Sequence, residues 1–309
     1  MESTFFPDFE VAAKAALAFL HQRLGFDLWM ITRTEGEDWI VLQTEDHGYD
    51  IAPGKVFRWA DTLCSRMVDG HGPRVAPNVG AVAAYADAPL GHQLTIGSYV
   101  GVPLVRDDGG LFGTLCAMHP APRPDSIVDE QGLVELLGAM LSTILQYEIR
   151  MAETSRRAER AEADSQTDAM TGLYNRAGWN RLLALEENRC RRYGHPAVVL
   201  MLGLDALKLI NHTQGHEAGD ALILRAAGEL RDAARTADVV ARLAGDEFAV
   251  LGVECDRAGG EALVARVRTA LSNGDIEGSV GLAARDPMYG LASACEEADR
   301  LMHLEKRSS

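Results

Sequence analysis

The most informative stretch of this sequence is Arg242-Leu243-Ala244-Gly245-Asp246-Glu247-Phe248 (RLAGDEF). Apolar residues on both sides predict two short strands, joined by a tight turn that carries two adjacent acids. The small residues at 244 and 245 would allow the backbone to come close to a phosphate group. Carboxylates at such a turn are suited to binding a divalent cation. Acidic hairpin turns are common, however, so the interpretation also depends on the residues around this one.

Helical and strand patterns alternate on both sides of this hairpin, from Asp168 to the end of the chain. The pattern predicts a compact α/β domain with a central sheet, which we assign to residues 168–309. The predicted helices cover residues 177–191, 218–233, 259–273 and 291–305, and the predicted strands cover residues 197–204, 239–243, 248–253 and 277–283.

Further motifs occur in a fixed order around the hairpin. They are DAMTGLYNR (168–176), DALKLIN (205–211), GHEAGD (215–220), SVG (279–281), and Ala298-Asp299 followed by Lys306. Together with the hairpin they resemble a GGDEF domain, the nucleotidyl-cyclase-like module that makes or binds cyclic di-GMP. The DxLTGLxNR, DxDxFKxxND and GHxxGD patterns of that family are matched in order and spacing.

The resemblance implies a reaction and a set of cofactors and ligands. Active members of the family condense two GTP into cyclic di-GMP, with one GTP held by each of two domains that face each other. The 3′-hydroxyl of one GTP attacks the α-phosphate of the other, and Mg²⁺ or Mn²⁺ activates the hydroxyl and neutralises phosphate charge. The roles implied by the matching positions are Asp246, Glu247 and Lys208 for catalysis; Asp246, Asp205 and the carbonyl of Leu204 for the metal; and Asn211, Asp220, Lys306 and Gly245 for the nucleotide.

Gly203 is the departure from the family that matters most for turnover. It stands where the family has its first metal-binding aspartate, and glycine offers no ligand atom. Loss of one bridging carboxylate predicts a rate that is lower by on the order of a thousandfold. In an extended strand Asp205 would point the same way as residue 203, so it is either a partial replacement or a structural cap. His212, Leu207 and His303 also depart from the pattern.

An RxxD motif, Arg235-Thr236-Ala237-Asp238, precedes the hairpin. In the family it resembles, this position is the inhibitory site for cyclic di-GMP, so we predict that Arg235, Asp238 and Arg242 bind that dinucleotide. A bidentate arginine suits the O6/N7 edge of guanine, and a carboxylate accepts from the guanine N–H groups. The short motif is common by chance, and the alternative is an ion pair at a helix end.

The first part of the chain, residues 1–128, predicts an α+β domain. A helix over residues 8–24 precedes strands at 28–32, 39–43, 99–105 and 111–118, the last two joined by the turn DDGG (107–110). The runs SYVGVPL (98–104) and GTLCA (113–117) resemble the sheet core of a GAF domain. That resemblance implies a sensor that binds a small molecule or dimerises, but the residues do not identify the ligand.

Residues 129–167 predict one long helix that links the two domains. Its apolar residues recur at alternating steps of three and four, which is typical of a coiled-coil seam. The seam residues are Leu133, Leu137, Met140, Ile144, Tyr147 and Met151. The alternatives are a parallel homodimer formed through this helix and a helix that packs back on the first domain.

Composition excludes some classes of function. The formal net charge of −15 argues against a nucleic-acid-binding surface, which needs an excess of Lys and Arg. The five cysteines are scattered, which predicts free thiols. Without a long apolar run or a signal-peptide pattern, we expect no membrane span and a cytoplasmic location.

Three functions are consistent with the sequence. The first is a GAF-regulated diguanylate cyclase, slowed by Gly203. The second is a catalytically inactive GGDEF module that acts as a receptor for cyclic di-GMP at the RxxD site or for GTP. The third is a scaffold that pairs with an active partner through the helical linker.

Overall fold

The chain forms two units in a computed structural model that describes residues 6–163, 166–205 and 207–308. The first unit comprises Met1–Glu153 with Arg192–Gly194, and the second comprises Thr154–Arg191 with His195–Ser309. The five cysteines are free thiols, as the sequence predicts.

The first unit is built on an antiparallel sheet. Its elements are α1 (Phe9–Leu24), β1 (Leu28–Glu35), β2 (Asp38–Asp46), β3 (Val56–Arg58), α2 (Leu63–Val68), β4 (Val75–Ala76), α3 (Ala83–Ala86), β5 (Ser98–Val105), β6 (Leu111–His119) and the first part of α4 (Gln131–Ala163). The sheet has six strands in the order β3-β2-β1-β6-β5-β4. This confirms the predicted α+β fold, including the hairpin between β5 and β6.

Alternate residues of the central strands enter two cores. On β1, Trp29 and Ile31 pack on one face, and Leu28 and Met30 pack on the other. The first face is covered by α1 and by the early part of α4. Successive side chains of a strand point to opposite faces of the sheet, so alternate residues are buried in different cores when both faces are covered.

Helix α4 packs on the first unit mainly through residues outside the predicted seam, although the seam residues Leu137 and Ile144 also lie against this core. Val134, Leu141 and Leu145 are buried in the core of the first unit. The alternative in which the helix packs back on the first domain therefore holds for this part of α4. Met140 and Tyr147, both members of the predicted seam, are 54% and 67% exposed. A coiled coil through the seam stays a prediction.

Helix α4 also contains the most apolar long stretch among the described helices. Within Asp125–Arg160, the most apolar 18-residue window has a mean hydropathy of 1.2, and 28% of it is buried. In the described part of the chain, this is the one helix whose length and composition would allow it to cross a membrane.

The second unit has helices on both faces of a second antiparallel sheet. Its elements are the end of α4, α5 (Arg176–Tyr193), β7 (Ala197–Leu204), α6 (Leu207–Gln214), α7 (His216–Ala233), β8 (Val239–Ala244), β9 (Glu247–Val253), α8 (Arg257–Asn273), β10 (Gly278–Ala284) and α9 (Gly290–Ser308). The strand order is β10-β7-β9-β8. This confirms the predicted α/β fold. Helix α6 was not predicted.

Strand β7 lies inside this sheet and is buried on both faces. Its residues Leu200 and Leu202 join the core under α7 and α8, whereas Val199 and Met201 join the core under α5 and α9. The alternation places residue 203 on the side of α9. The sequence of β7 thus determines which layer the end of the strand faces.

The last turns of α4 are fixed within the second unit by an ion-pair network. The Arg156 guanidinium donates to both carboxylate oxygens of Glu186 at 3.0 and 3.2 Å, and to Glu254 at 2.7 Å. The Glu186 side chain is 3% exposed and also accepts from Arg189. A hydrogen bond from His195, outweighing partial burial, lowers the pKa of Glu254 to about 2, with a further contribution from Arg156.

We expect Arg156→Met to destabilise the second unit by about 2 kcal/mol, because Glu186 would lose one of two partners while staying buried. A loss of that size corresponds to roughly thirtyfold faster opening of nearby backbone, measured as amide hydrogen exchange over α5. The exposed Arg157→Met is the matched control, and equal exchange in both variants would contradict the role of Arg156.

The pKa of Glu254 is depressed in the folded protein, so the contribution of its ion pairs to the folding free energy depends on pH. This contribution is complete above the ordinary pKa of 4.5 and is lost as the pH falls towards 2.

Candidate nucleotide-binding site

The acidic hairpin tip lies at the end of β7. Ala244 pairs with Glu247, which leaves Gly245 and Asp246 as the turn between β8 and β9. The Leu204 amide donates to the Asp246 carbonyl at 3.0 Å. A Cβ added at Gly245 would meet nothing within 4 Å, and the φ of Gly245 is not in the left-handed region. The fold itself therefore does not require glycine at 245, and the space beside it is open.

The Lys306 ammonium connects the hairpin tip to the strand end. It lies in the last turn of α9 and donates to the Leu204 carbonyl at 3.1 Å and to the Asp246 carboxylate at 3.0 Å. The Lys306 and Asp246 side chains are each about one third exposed, at 32% and 33%. Three segments that are far apart in the sequence thus meet, and all three carry residues that the sequence analysis placed at one site.

Gly203 lies beside this ammonium and contributes no side chain. A Cβ added at residue 203 would lie 3.3 Å from Met302 Sδ and 3.4 Å from Lys306 Nζ. Both of these atoms are at the ends of flexible side chains, so a larger residue at 203 requires only small movements. A carboxylate at 203 would therefore lie next to the Lys306 ammonium.

Asp205 contacts a neighbouring strand. The Ser279 hydroxyl donates to its carboxylate and lies 2.9 Å from both carboxylate oxygens. Ser279 is buried on β10 and pairs with Gly203 across the sheet. This contact corresponds to the structural alternative for Asp205, while its role as a metal ligand stays a prediction.

The donor set does not fit the metal centre that the family implies. Within residues 6–163, 166–205 and 207–308, no group of three or more His, Cys, Asp or Glu side chains is placed to hold a metal ion. Of the predicted ligands, the Asp246 carboxylate and the Leu204 carbonyl converge, and the Lys306 ammonium is bonded to both. A two-metal centre needs several carboxylates at bonding distance from each ion.

The predicted guanine-binding residues lie on α6 and α7. A Cβ at Gly219 would lie 2.0 Å from Asn211 Oδ1, so the glycine allows the Asn211 amide to pack against α7. Asp220, next to this glycine, is exposed, and Lys208 is exposed on α6. The two residues predicted to bind guanine thus lie on neighbouring helices.

Several cavities lie near the predicted residues. The first, of about 750 Å³, is lined by Asp205, Lys306, Arg268 and Glu305 among others. The second, of about 370 Å³, is lined by Arg235 and Asp238 with residues from the DxLTGLxNR stretch. Another, of about 460 Å³, is lined by Arg242 and Gly245 among others. All these volumes are within the usual range for small-molecule sites.

The RxxD turn is held by its own aspartate and by α4. Asp238 accepts from the backbone amides of Arg235 at 2.8 Å and Val253 at 3.3 Å. The Arg160 guanidinium donates to the carbonyls of Thr236 and Ala237. The carboxylate thus organises the backbone of the turn, while Arg235 is exposed at the second cavity.

Two family models match the sequence. The model described as "Diguanylate cyclase, GGDEF domain" matches residues 165–308, and the one described as "GAF domain" matches residues 8–145. The chain belongs to the GAF–GGDEF proteins of the diguanylate cyclase family. The GAF match extends into α4, beyond the boundary at 128 that the sequence analysis proposed.

Similar proteins include enzymes that make cyclic di-GMP and one that degrades it. Diguanylate cyclase DgcP of Escherichia coli is 29% identical over 81% of this chain and 75% of its own length. Cyclic di-GMP phosphodiesterase NbdA of Pseudomonas aeruginosa is 38% identical, but the match spans 46% of this chain and only 22% of NbdA. The GGDEF domain of DgcB from Caulobacter crescentus, solved with c-di-GMP, is 26% identical, with a TM-score of 0.45 over 47% of this chain and 92% of that chain.

Arg242 stabilises the GGDEF hairpin. It donates to the Gly245 carbonyl at 2.9 Å and to Asp168 at 3.2 Å. Asp168 also accepts from the amide and hydroxyl of Thr171 at 2.9 and 2.8 Å. The structure thus places Arg242 with the opening DxLTGLxNR motif, and it is not among the residues lining the cavity of Arg235 and Asp238. Its predicted contact with cyclic di-GMP stays a prediction.

Arg160 is a contact residue of the RxxD turn that the sequence motifs did not predict. Arg160 lies in a segment rich in Arg and Glu, and no family motif marks it. Its contact with the RxxD turn depends on the rotation of α4 about its own axis. The one signal in the sequence is its spacing of four residues from Arg156, which places both on one face of the helix.

We expect Asp168→Asn to loosen the hairpin tip, at a cost of about 1–2 kcal/mol, because the amide keeps the size but loses the charge that Arg242 and Thr171 stabilise. Burial alone would raise the pKa of Asp168, but the bonds from Thr171 and Arg242 hold it below its ordinary value. The contribution is therefore present at neutral pH and lost as the pH falls through that lowered pKa. Hydrogen exchange across residues 242–248 would detect the change. Unaltered exchange at pH 7 would contradict the role of Asp168.

Proposed function

We propose that this protein acts in cyclic di-GMP signalling as a GTP-binding GGDEF protein that condenses two GTP into cyclic di-GMP slowly. The observation that carries the proposal is the convergence of the Lys306 ammonium, the Asp246 carboxylate and the Leu204 carbonyl within 3.1 Å. Of these residues, Lys306 lines a cavity of a size suited to a nucleotide. Membership of the diguanylate cyclase family supplies the reaction class.

The positions of individual residues support the proposed roles. Lys306 meets the triphosphate as a point charge. The open space at Gly245 allows phosphate to approach the backbone. Asn211 and Asp220, on α6 and α7, would provide an amide and a carboxylate for the polar edge of guanine. Glu247 lies beside Arg176, with 3.9 Å between guanidinium and carboxylate, at the hairpin where the hydroxyl would attack.

Slow turnover follows from the missing carboxylate at residue 203. Negative charge builds up on the reacting α-phosphate and on the departing pyrophosphate. This domain offers few groups that would stabilise that charge in the transition state. Because the donor set does not fit a two-metal centre, we assign no catalytic step to Mg²⁺ or Mn²⁺. Groups that bind GTP in its ground state remain, so binding is less affected than rate.

Two GGDEF domains must face each other for this reaction, which requires a dimer. We propose that α4 supplies the contact through Met140, Tyr147 and Met151, whose exposed fractions are all above one half. A small molecule bound to the GAF domain would then control the pairing. GTP is abundant in the cytoplasm, and we propose that location for the protein.

We expect Gly203→Asp to raise the rate of cyclic di-GMP formation by up to about a thousandfold, because it restores the carboxylate next to Lys306. The measurement is chromatography of products after incubation of purified protein with GTP and Mg²⁺ or Mn²⁺. Gly203→Ala is the control, because it adds the Cβ without the charge. A wild-type rate on the order of 1 s⁻¹ or more would contradict the limiting role of Gly203.

The cavity at the RxxD turn favours a second candidate function, a receptor for cyclic di-GMP. Arg235 is exposed there, and the backbone of the turn is held by Asp238 and Arg160. A guanidinium on a fixed turn suits the O6/N7 edge of guanine. A receptor needs no turnover, so this function is compatible with Gly203.

We expect Arg235→Ala to weaken cyclic di-GMP binding by about tenfold or more, because it removes a bidentate contact. Isothermal titration calorimetry of the full chain measures the effect. Arg225→Ala, an exposed arginine on α7, is the matched control. If the wild type does not bind cyclic di-GMP, the receptor function is wrong.

A further inference from the structure

We propose that Lys306 acts as a fixed cation in the place of a divalent metal ion, so that this GGDEF domain binds a nucleoside triphosphate without a metal. The inference rests on the proposed GTP-binding function and specifies which group of that site contacts the triphosphate. Its starting point is that the described residues include no group of acidic, His or Cys side chains placed to form the metal centre that the family implies.

The contacts of Lys306 are those of an ammonium ion that occupies an oxygen-lined position. Its nitrogen lies 3.1 Å from the Leu204 carbonyl and 3.0 Å from Asp246 Oδ2, which are ordinary hydrogen-bond lengths. These are two of the oxygen atoms that the family resemblance assigns to the metal. An ammonium has three protons to donate, so one remains for a phosphate oxygen.

Gly203 leaves Lys306 without a second acidic neighbour at this position. A Cβ at 203 would lie 3.4 Å from Lys306 Nζ, so a longer acidic side chain would share the space around the ammonium. With an aspartate there, two carboxylates would surround one lysine and leave a net negative charge, which favours recruitment of a divalent ion. With glycine, Lys306 and Asp246 balance each other, so the protein groups carry no net negative charge that would recruit a divalent ion.

The other acids near the site contact different partners. Asp205 accepts from Ser279, and Glu247 lies near Arg176. Glu305 accepts from the Val280 amide at 2.7 Å and from Arg268 at 2.8 Å. Among the residues that the structure describes, Asp246 is thus the acid bonded to Lys306, and further carboxylates are not grouped there to attract a metal.

The position of Lys306 on helix α9 restricts the movement of its ammonium group. The helix is anchored by buried residues that include Leu291, Ala298 and Met302. Met302, one turn before Lys306, lies against Gly203. The lysine stem therefore starts from a fixed point, and less side-chain entropy is lost when the ammonium binds an anion.

The test measures binding of α,β-methylene GTP, which cannot release pyrophosphate, to the full chain by calorimetry in Mg²⁺ and in EDTA. We expect the Kd of the wild type to differ by less than about threefold between the two conditions. Lys306→Met should weaken binding by about tenfold or more in both, which is the loss typical of a charge-assisted contact. Arg307→Met removes a neighbouring charge whose guanidinium bonds to the His303 carbonyl of its own helix, and it should bind as the wild type does.

Gly203→Asp provides the matched test of the metal. We expect its affinity to become dependent on Mg²⁺ by about tenfold or more, because two carboxylates then share one lysine. Mg²⁺ alone should raise the melting temperature of this variant and leave that of the wild type unchanged. If Mg²⁺ alone stabilises the wild type as much as the variant, the inference is wrong.

The outcomes separate this inference from the proposed function. Wild-type binding that requires Mg²⁺ overturns the fixed-cation role and leaves the GTP-binding proposal in place. An absence of binding in both conditions overturns the two together. A Lys306→Met variant that binds normally in EDTA also overturns the inference. Lys306→Arg keeps the charge, so normal binding by this variant would show that the loss in Lys306→Met is not due to misfolding.

Discussion

The hydrogen bonds of Lys306 to Leu204 and Asp246 are the interaction on which the candidate site depends. They join the end of α9, the end of β7 and the tip of the β8–β9 hairpin. Strand β7 must lie between β10 and β9, and α9 must cover the face of residue 203, before these three atoms can meet. The site is therefore a consequence of the whole GGDEF fold.

The fold of this domain was predictable because its strands are short apolar runs with clear ends. β7 is apolar throughout, and the predicted range 197–204 agrees with Ala197–Leu204. Helix ends differ by one or two residues where side chains cap them, as Asn175 does for Ala177 and Gly178 at the start of α5. Helix α6 escaped prediction because it is only eight residues long. Leu207 and Ile210 face the core and Leu209 is exposed, but so short a segment contains too few apolar repeats to be recognised as a helix from sequence.

The contacts made by the site residues were less predictable than their identity. Sequence order identifies Asp205, Arg242 and Lys306, but the partner of each depends on side-chain direction in three dimensions. Asp205 thus meets Ser279, and Arg242 meets Asp168. The same limit applies to α4, where a heptad pattern identifies apolar positions but does not show which of them the first domain covers.

The loss of one carboxylate separates two properties that the family combines. In the function we propose, binding of GTP depends on groups that interact with the ground state of the nucleotide, and Lys306, Asn211 and Asp220 are the residues proposed for this. Turnover depends on groups whose interaction strengthens as charge develops on the reacting phosphate. Gly203 lacks the carboxylate that would hold a metal ion, which is a group of the second kind, and it leaves Lys306, a group of the first kind. On the function we propose, such a domain responds to guanine nucleotides even when it produces little cyclic di-GMP, because recognition and chemistry depend on different atoms of the same site.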